Sequence, residues 1–209
     1  MKTYLFDFDG TLVDSMTTFV GVMLRILDEN GIEYDGSIVK VITPLGYRGT
    51  AEYYRTLGVK ESVNDIVGKM NAYALAEYAV NIEAKPFVKE ALAELRSRGC
   101  SLNVLTASPH TMLDPCLKRI GLYDLFDNVW SCDDFGTTKS DPDIYVQVAE
   151  RMGVRTCDVL FLDDNFNALK TAKSAGMSVC GVYDASSDEY TDEIKAIADG
   201  YVSSFAELV

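Results

Sequence analysis

Two acids separated by one residue, Asp7 and Asp9, close the apolar run "TYLF" and are followed at once by Gly10 and Thr11. A second apolar run, "VLFL", ends in Asp163 and Asp164. Carboxylates brought together repel one another unless their charge is offset. A divalent cation would offset it, and hard carboxylate oxygens suit Mg²⁺, which keeps several waters and meets substrate phosphate. One carboxylate beside a metal-bound phosphoryl group can attack phosphorus and form an acyl phosphate. A second can protonate the departing oxygen and later activate water. Asp7 and Asp9 have the chemistry for this division of labour, although their spacing does not say which does which. Asp164, arriving from another strand end, is the expected third metal ligand. Gly10 permits a tight turn or the close approach of a ligand.

Other polar residues stand at comparable places. Thr106 ends "LNVLT" and can donate a hydroxyl hydrogen bond to a phosphoryl oxygen. Ser108 reads as a helix N-cap. Lys139 lies in the polar stretch "DDFGTTKSDPD". In a cleft of acids it could hold both nucleophile and phosphate; taken alone it reads as a surface charge. His110, the single histidine, reads as a helix-face residue rather than a base. The glycines form neither a phosphate-binding P-loop nor a dinucleotide GxGxxG, so no nucleotide cofactor is expected.

These residues need a scaffold that gathers strand ends. From residue 84 onward the pattern alternates. "FVKEALAELRSRG" has helical apolar spacing between Pro86 and Gly99. "SLNVLTA" is a strand. "SPHTMLDPCLKRIGL" is a helix that Pro115 should kink or split. "NVWSCD" is a weak strand, and "SDPDIYVQVAERMGV" a helix between Asp141 and Gly153. "DVLFLDD" is a strand apolar on both faces, as in a covered parallel sheet. A helix ("NFNALKTAKSAG"), a strand ("MSVCGVY") and a helix ("SDEYTDEIKAIADG") complete the series. Such alternation predicts a doubly wound α/β domain, to which the first strand, Thr3 to Phe8, belongs. Ligands of open α/β sheets bind beyond the carboxyl ends of the strands, where Asp7, Asp9, Thr106, Asp163 and Asp164 all fall. Residues 15–82 instead carry four helical segments with little strand character. The predicted organisation is a core of residues 1–14 and 83–209 with a helical insertion, residues 15–82, expected to hang over the first strand's end.

Composition sets the partners. Among 209 residues the formal net charge is −13, against binding to nucleic-acid backbones or anionic membrane surfaces. A small anionic substrate beside a metal stays compatible with that charge. Five scattered cysteines without a CxxC pair fit a reducing compartment, and no stretch has the length of a membrane span. A soluble cytoplasmic protein is expected. The sequence does not set its oligomeric state.

With these residues in place, the sequence resembles the haloacid dehalogenase superfamily, in its branch similar to phosphoglycolate phosphatase and β-phosphoglucomutase. "DFDGTLVDS" matches the family's first motif, DxDGTLxDS; "VLTAS" matches the second. Lys139 in "KSDPDIY" matches the third, usually KPxPDxY, with Ser140 in place of the proline. "FLDDN" matches the fourth. The resemblance spans essentially the whole chain and implies a Rossmann-like α/β core with a parallel sheet and an inserted α-helical cap. It implies Asp7 as the phosphorylated nucleophile and Asp9 as general acid and base, with its backbone carbonyl on Mg²⁺. Asp7 and Asp164 would ligate Mg²⁺ through their side chains, Thr106 would bind the phosphoryl group with the Ala107 amide nearby, and Lys139 would stabilise the charges. Two departures bear on the metal. Relatives with an acid four residues beyond the metal-binding Asp find Ala168 here, after Asn167. Asp163 fills a position usually Gly or Glu, so the metal shell is expected to lean on it.

The expected function is a Mg²⁺-dependent phosphatase for a small phosphorylated metabolite. A sugar-phosphate mutase shares the first half-reaction, and a non-catalytic phosphometabolite-binding or protein-interaction module is an alternative of another class. The intact acid pair argues against the module, and Asp9 argues against dehalogenation. Phosphonate-cleaving relatives use a cap lysine, but nothing singles out Lys40, Lys60 or Lys69. In the insertion, "TPLGYRGT", Thr43 to Thr50, is expected to be a loop whose Arg48 pairs with a second anionic group or simply faces solvent. Tyr47, Tyr53, Tyr54, Tyr73 and Tyr78 read mainly as helix packing.

Overall fold

The apolar run that carries Asp7 becomes strand β1, Thr3–Phe6, with every residue buried. Its side chains alternate between two covered faces, as a period of two requires. Leu5 joins a core cluster with Phe161, Ile144, Tyr145 and Leu169. Phe6 points the other way, its ring 6.2 Å from those of Phe126 and Phe205. The structure, a computed structural model, describes residues 2–209 apart from the side chain of Pro44.

Five further strands follow: β2 (Ser101–Thr106), β3 (Asn128–Ser131), β4 (Val159–Asp163), β5 (Ser178–Val182) and β6 (Gly200–Val202). All pair in parallel in the order β3-β2-β1-β4-β5-β6. The chain runs outward from β1 in two directions, so the order reverses at β1, where ligand sites form in such sheets. Phe6 is level with Val104 of β2 and with Leu162 of β4. Asp7, one residue on, emerges between the ends of both neighbours, and its N–H still donates to Leu162 O at 2.9 Å.

The chain divides into two compact units, residues 1–14 with 83–209 and residues 15–82. The second unit holds α1 (Met16–Glu29), α2 (Ile38–Ile42), α3 (Gly46–Thr56) and α4 (Val63–Val80). Met23, Ile26, Leu27, Ile42, Tyr54, Ile66 and Met70 form its core, one contribution or more from each helix. Ser62 caps α4 by accepting from the Asp65 N–H at 3.2 Å. The first unit holds α5 (Val88–Ser97), α6 (His110–Arg119), α7 (Pro142–Met152), α8 (Phe166–Ser174) and α9 (Thr191–Ile197). This is the α/β fold with a parallel sheet and helical cap that the sequence leads one to expect.

Some local expectations need correction. Thr43 to Thr50 is no open loop: a 3-10 turn at Thr43–Leu45 runs into α3. Arg48 therefore sits on a helix, with its side chain 73% exposed and 3.5 Å from Glu52. Pro115 does not split α6, which runs continuously from His110 to Arg119. Leu113, Cys116 and Leu117 on its buried face hold the helix together across the missing N–H. Ser108 is not the N-cap of α6; Pro109 is, without a side-chain cap bond. Strand β6 and the 3-10 turn at Ala185–Tyr190 are also new, the latter replacing the first turn expected of α9.

Candidate active site

The turn after β1 explains why "GT" follows the two acids. Gly10 has φ +74°, and a Cβ there would lie 2.7 Å from Asp164 Oδ2. Only glycine lets the backbone pass this close to a carboxylate in that conformation. Thr11 is fully buried. Its hydroxyl donates to Asp164 Oδ1 at 3.0 Å and accepts from the Asp164 N–H at 3.1 Å. The two bonds fix the Asp164 side chain against its own backbone from the neighbouring strand's loop.

Asp7, Asp163 and Asp164 are all buried, and carboxylate oxygens from the three lie within 4.8 Å of one another. Lys139 Nζ sits among them, 2.7 Å from Asp7 Oδ1 and 2.7 Å from Asp163 Oδ2. Asp163 spends its other oxygen on the Asn165 N–H at 2.7 Å, while Asn165 caps α8 through its own side chain. Lys139 is placed by the start of α7, where Asp141 is the N-cap and Pro142 opens the helix. Tyr145, fully buried, donates its hydroxyl proton between Lys139 O and Ala168 O, 3.1 Å from each. The aspartate, proline and tyrosine of "KSDPDIY" thus serve to hold Lys139 in place.

The electrostatics follow from burial. Desolvation pushes the Asp7 carboxyl well above the usual carboxylate range, opposed by Lys139 and reinforced by Asp163, Asp164 and Asp9. Asp164 is pushed up to about 7 by burial, with Asp163 and Asp184 adding to it. Burial disfavours the Lys139 ammonium, but Asp163 and Asp7 outweigh it and hold the lysine charged. One cation thus serves three buried acids. A set of hard oxygen donors carrying excess negative charge fits a divalent cation.

Two predicted residues stand beside this cluster. Thr106 is buried at the end of β2, its hydroxyl oxygen accepting the Ser108 N–H at 3.0 Å. Asp9 is partly exposed, and its Oδ2 accepts a hydrogen bond from Ser108 Oγ at 2.5 Å. The carboxylate cluster takes Asp163 as its third member rather than Asp9. Ala168, where some relatives carry an acid, is buried in α8. His110 bridges Asp114 Oδ1 (2.9 Å) and Asp134 Oδ2 (2.8 Å), a helix-face position as expected. Sequence reasoning leaves Thr11 and Tyr145 without a task and gives Ser108 the wrong one. The only signal for the first two is that they fall inside the long motifs.

Residues 1–176 match the family model of the haloacid dehalogenase-like hydrolases. The chain belongs to this family. It is a hydrolase of the phosphatase type and stands near the phosphoglycolate phosphatase and β-phosphoglucomutase branch. It is 28% identical over 179 residues to YhcW of Bacillus subtilis, assigned as a phosphatase, covering 85% of this chain and 81% of that one. It is 26% identical over 178 residues to the phosphorylated carbohydrates phosphatase of Thermotoga maritima, covering 85% and 82%. A crystal structure from Thermotoga maritima, assigned as a β-phosphoglucomutase, superposes with a TM-score of 0.86. Its identity is 25%, over 100% of this chain and 97% of that one. Among the described residues no helix is long and apolar enough to cross a membrane.

Proposed function

We propose that this haloacid dehalogenase-like hydrolase cleaves small phosphomonoesters with Mg²⁺ through an aspartyl phosphate on Asp7. The observation that carries the reading is Lys139 bridging Asp7 and Asp163 inside a buried carboxylate cluster at the switch point of the sheet. Asp7, Asp164 and the Asp9 backbone carbonyl are the assigned metal ligands, with Asp163 beside them. The ion bound there would neutralise charge on the phosphoryl oxygens. Asp7 attacks phosphorus. Asp9 gives a proton to the leaving oxygen and later takes one from water. Thr106 and Lys139 bind the phosphoryl oxygens, the lysine also holding Asp7 in line. Residues 15–82 form the cap domain and the remainder the catalytic domain. A cytoplasmic compartment fits five scattered cysteines, none of them paired in a disulfide.

The substrate class we favour is a phosphorylated sugar or polyol, supported by the Thermotoga maritima phosphorylated carbohydrates phosphatase and by hexitol phosphatase B of Escherichia coli, 25% identical over 98% of this chain. The likeness to an assigned β-phosphoglucomutase favours one second reading, transfer of the phosphoryl group to a sugar hydroxyl instead of water. A panel of phosphorylated metabolites, assayed with Mg²⁺ and after chelation, tests the main reading. Release of inorganic phosphate that needs the metal is expected. Isomerised sugar phosphate without net phosphate release would establish the mutase, and full turnover by folded, metal-free protein would overturn the metal assignment.

A further inference from the structure

Strand β3 is four residues long and lies at one edge of the sheet, beside β2. Its last residue, Ser131, is level with Thr106 at the end of β2. From there the two segments part. One turns through Ala107, Ser108 and Pro109 into α6; the other runs through the 3-10 turn Cys132–Phe135 toward Lys139. His110, the first residue of α6, ties them together again. Its Nε2 is 2.8 Å from Asp134 Oδ2 in the turn, and its Nδ1 is 2.9 Å from Asp114 Oδ1, one helical turn on. An ionised carboxylate only accepts, so each contact calls for an N–H, and the ring carries two only as imidazolium. The same Asp134 oxygen accepts the Ser131 N–H at 2.9 Å, and Arg151 of α7 donates to Asp134 O at 3.0 Å. The turn is thus fixed to β3, to α7 and, through the ring, to α6. We propose that His110 is a positioning residue for phosphoryl binding, its charged ring clamping the segment that carries Thr106 to the segment that leads to Lys139. The inference rests on the reading of Thr106 and Lys139 as phosphoryl-binding groups given above.

The oxygens of one phosphoryl group must be met from both segments at once, and binding is weaker when it must also order the groups that bind. Deprotonation leaves one N–H for two carboxylates and turns a lone pair on an anion, so one of the two ties is lost. Among the described residues the charged groups that act on the ring are Asp114 from its own helix and Asp134 from the turn. The exposed Asp133 shares that turn. From β3 the nearest partner of Asp134 is the uncharged Ser131. The Arg151 guanidinium of α7 is turned to the Asp134 backbone and lies 3.9 Å over the Phe135 ring. The 3-10 turn at Tyr123–Leu125 meets the other end of α6, where Lys118 lies over Tyr123.

The chain has one histidine, so its ring can be followed directly in an NMR pH titration. Coupling between sites is reciprocal: if the charged ring favours phosphate, phosphate must favour the charged ring. Saturating inorganic phosphate, with Mg²⁺ present, should shift the ring's protonation equilibrium ~5-fold or more toward the charged form, the low end of typical site-to-site coupling. In Asp134→Ala the ring keeps Asp114 and the phosphate keeps its charge, but the clamp is gone, so most of that shift should disappear. A shift of equal size in the variant would mean simple attraction between charges and overturns the proposal, as does a wild-type ring that phosphate leaves unmoved. Calorimetry gives a second measure that does not need this variant. The Kd for inorganic phosphate in His110→Asn, relative to wild type, should be ~5-fold higher where the ring is charged and approach the wild-type value above the folded pKa. A ratio constant with pH assigns the ring a structural role only and overturns the clamp. Thr106→Val is measured in parallel and should weaken phosphate. If it does not, or if wild type with Mg²⁺ fails to bind phosphate, the phosphoryl reading and the inference fall together; if it does while the ring stays unmoved, the clamp falls alone.

Discussion

A carboxylate that binds a cation must be held still by something other than the cation, or binding has to order it first. Thr11 does this for Asp164, as donor to its carboxylate and acceptor from its amide. Partners of metal-ligating carboxylates typically matter ~10–100-fold in affinity when removed. Thr11→Val should therefore weaken divalent-metal binding by about that factor, read from Mn²⁺ binding by electron paramagnetic resonance in the folded protein. Thr11→Ser keeps the hydroxyl and should bind nearly as wild type. Unchanged affinity in the valine variant would deny Thr11 its role. At this scale the sequence makes Asp7, Asp9, Thr106 and Asp164 readable, because an acid or hydroxyl at the end of an apolar strand lacks an ordinary structural use; Lys139, in a polar stretch, is readable only through the family resemblance. The sequence does not make the partners readable. Which oxygen meets Thr11, and whether Ser108 turns toward its helix or toward Asp9, depends on contacts between residues about 100 or more positions apart, which local pattern does not encode.

Two elements carry polar groups whose energetics can be measured. Helix α6 begins with His110, whose ring joins Asp114 on its own helix to Asp134 in the 3-10 turn after β3. Hydrogen bonds donated by the ring to both carboxylates raise the His110 pKa. A pKa raised in the folded state means that the protonated ring stabilises the fold. That contribution is complete below the unfolded value of about 6.5 and is lost as pH rises through the higher folded value. His110→Asn should therefore lower the Tm most in acid, and its deficit against wild type should shrink once pH exceeds the folded pKa. A deficit constant with pH would mean that the ring acts by packing alone. In α3 the Tyr54 hydroxyl is buried without a hydrogen-bond partner among the described residues, and burial raises its pKa above the ordinary tyrosine value. An unsatisfied buried hydroxyl costs about 1–3 kcal/mol. Tyr54→Phe keeps the ring and removes that cost, so its Tm should equal or exceed wild type; a clear drop would reveal a bridging water. The alternation of strands and helices is legible because apolar period and length agree in most segments. Strand β6 is not, since three residues, Gly200–Val202, carry too little pattern, and the start of α3 hides behind two glycines that resemble a loop.

Across the whole molecule, composition already separates the two units, one alternating strand and helix and the other helical throughout. The acids also outnumber the bases, with a net charge of −13, so any salt screens self-repulsion to some degree. Binding at the Asp7, Asp163 and Asp164 cluster differs from screening in its location, because all three residues lie in the unit made of residues 1–14 and 83–209. A ligand that binds only the folded state stabilises it by about 2.7 kcal/mol at 100 times its Kd. For a chain of this size each kcal/mol moves the Tm by about 2–4 °C. At constant ionic strength, replacing Na⁺ by Mg²⁺ should thus raise the melting temperature by roughly 5–11 °C at that saturation. If the two units melt separately, only the transition of the sheet-containing unit should move, and the helical unit serves as an internal control. Asp164→Asn removes one proposed ligand and should abolish the Mg²⁺-specific rise while leaving the response to ionic strength intact. Should the variant and the wild type respond equally to Mg²⁺, the effect belongs to the overall acidity of the surface, and the buried cluster is not the metal site.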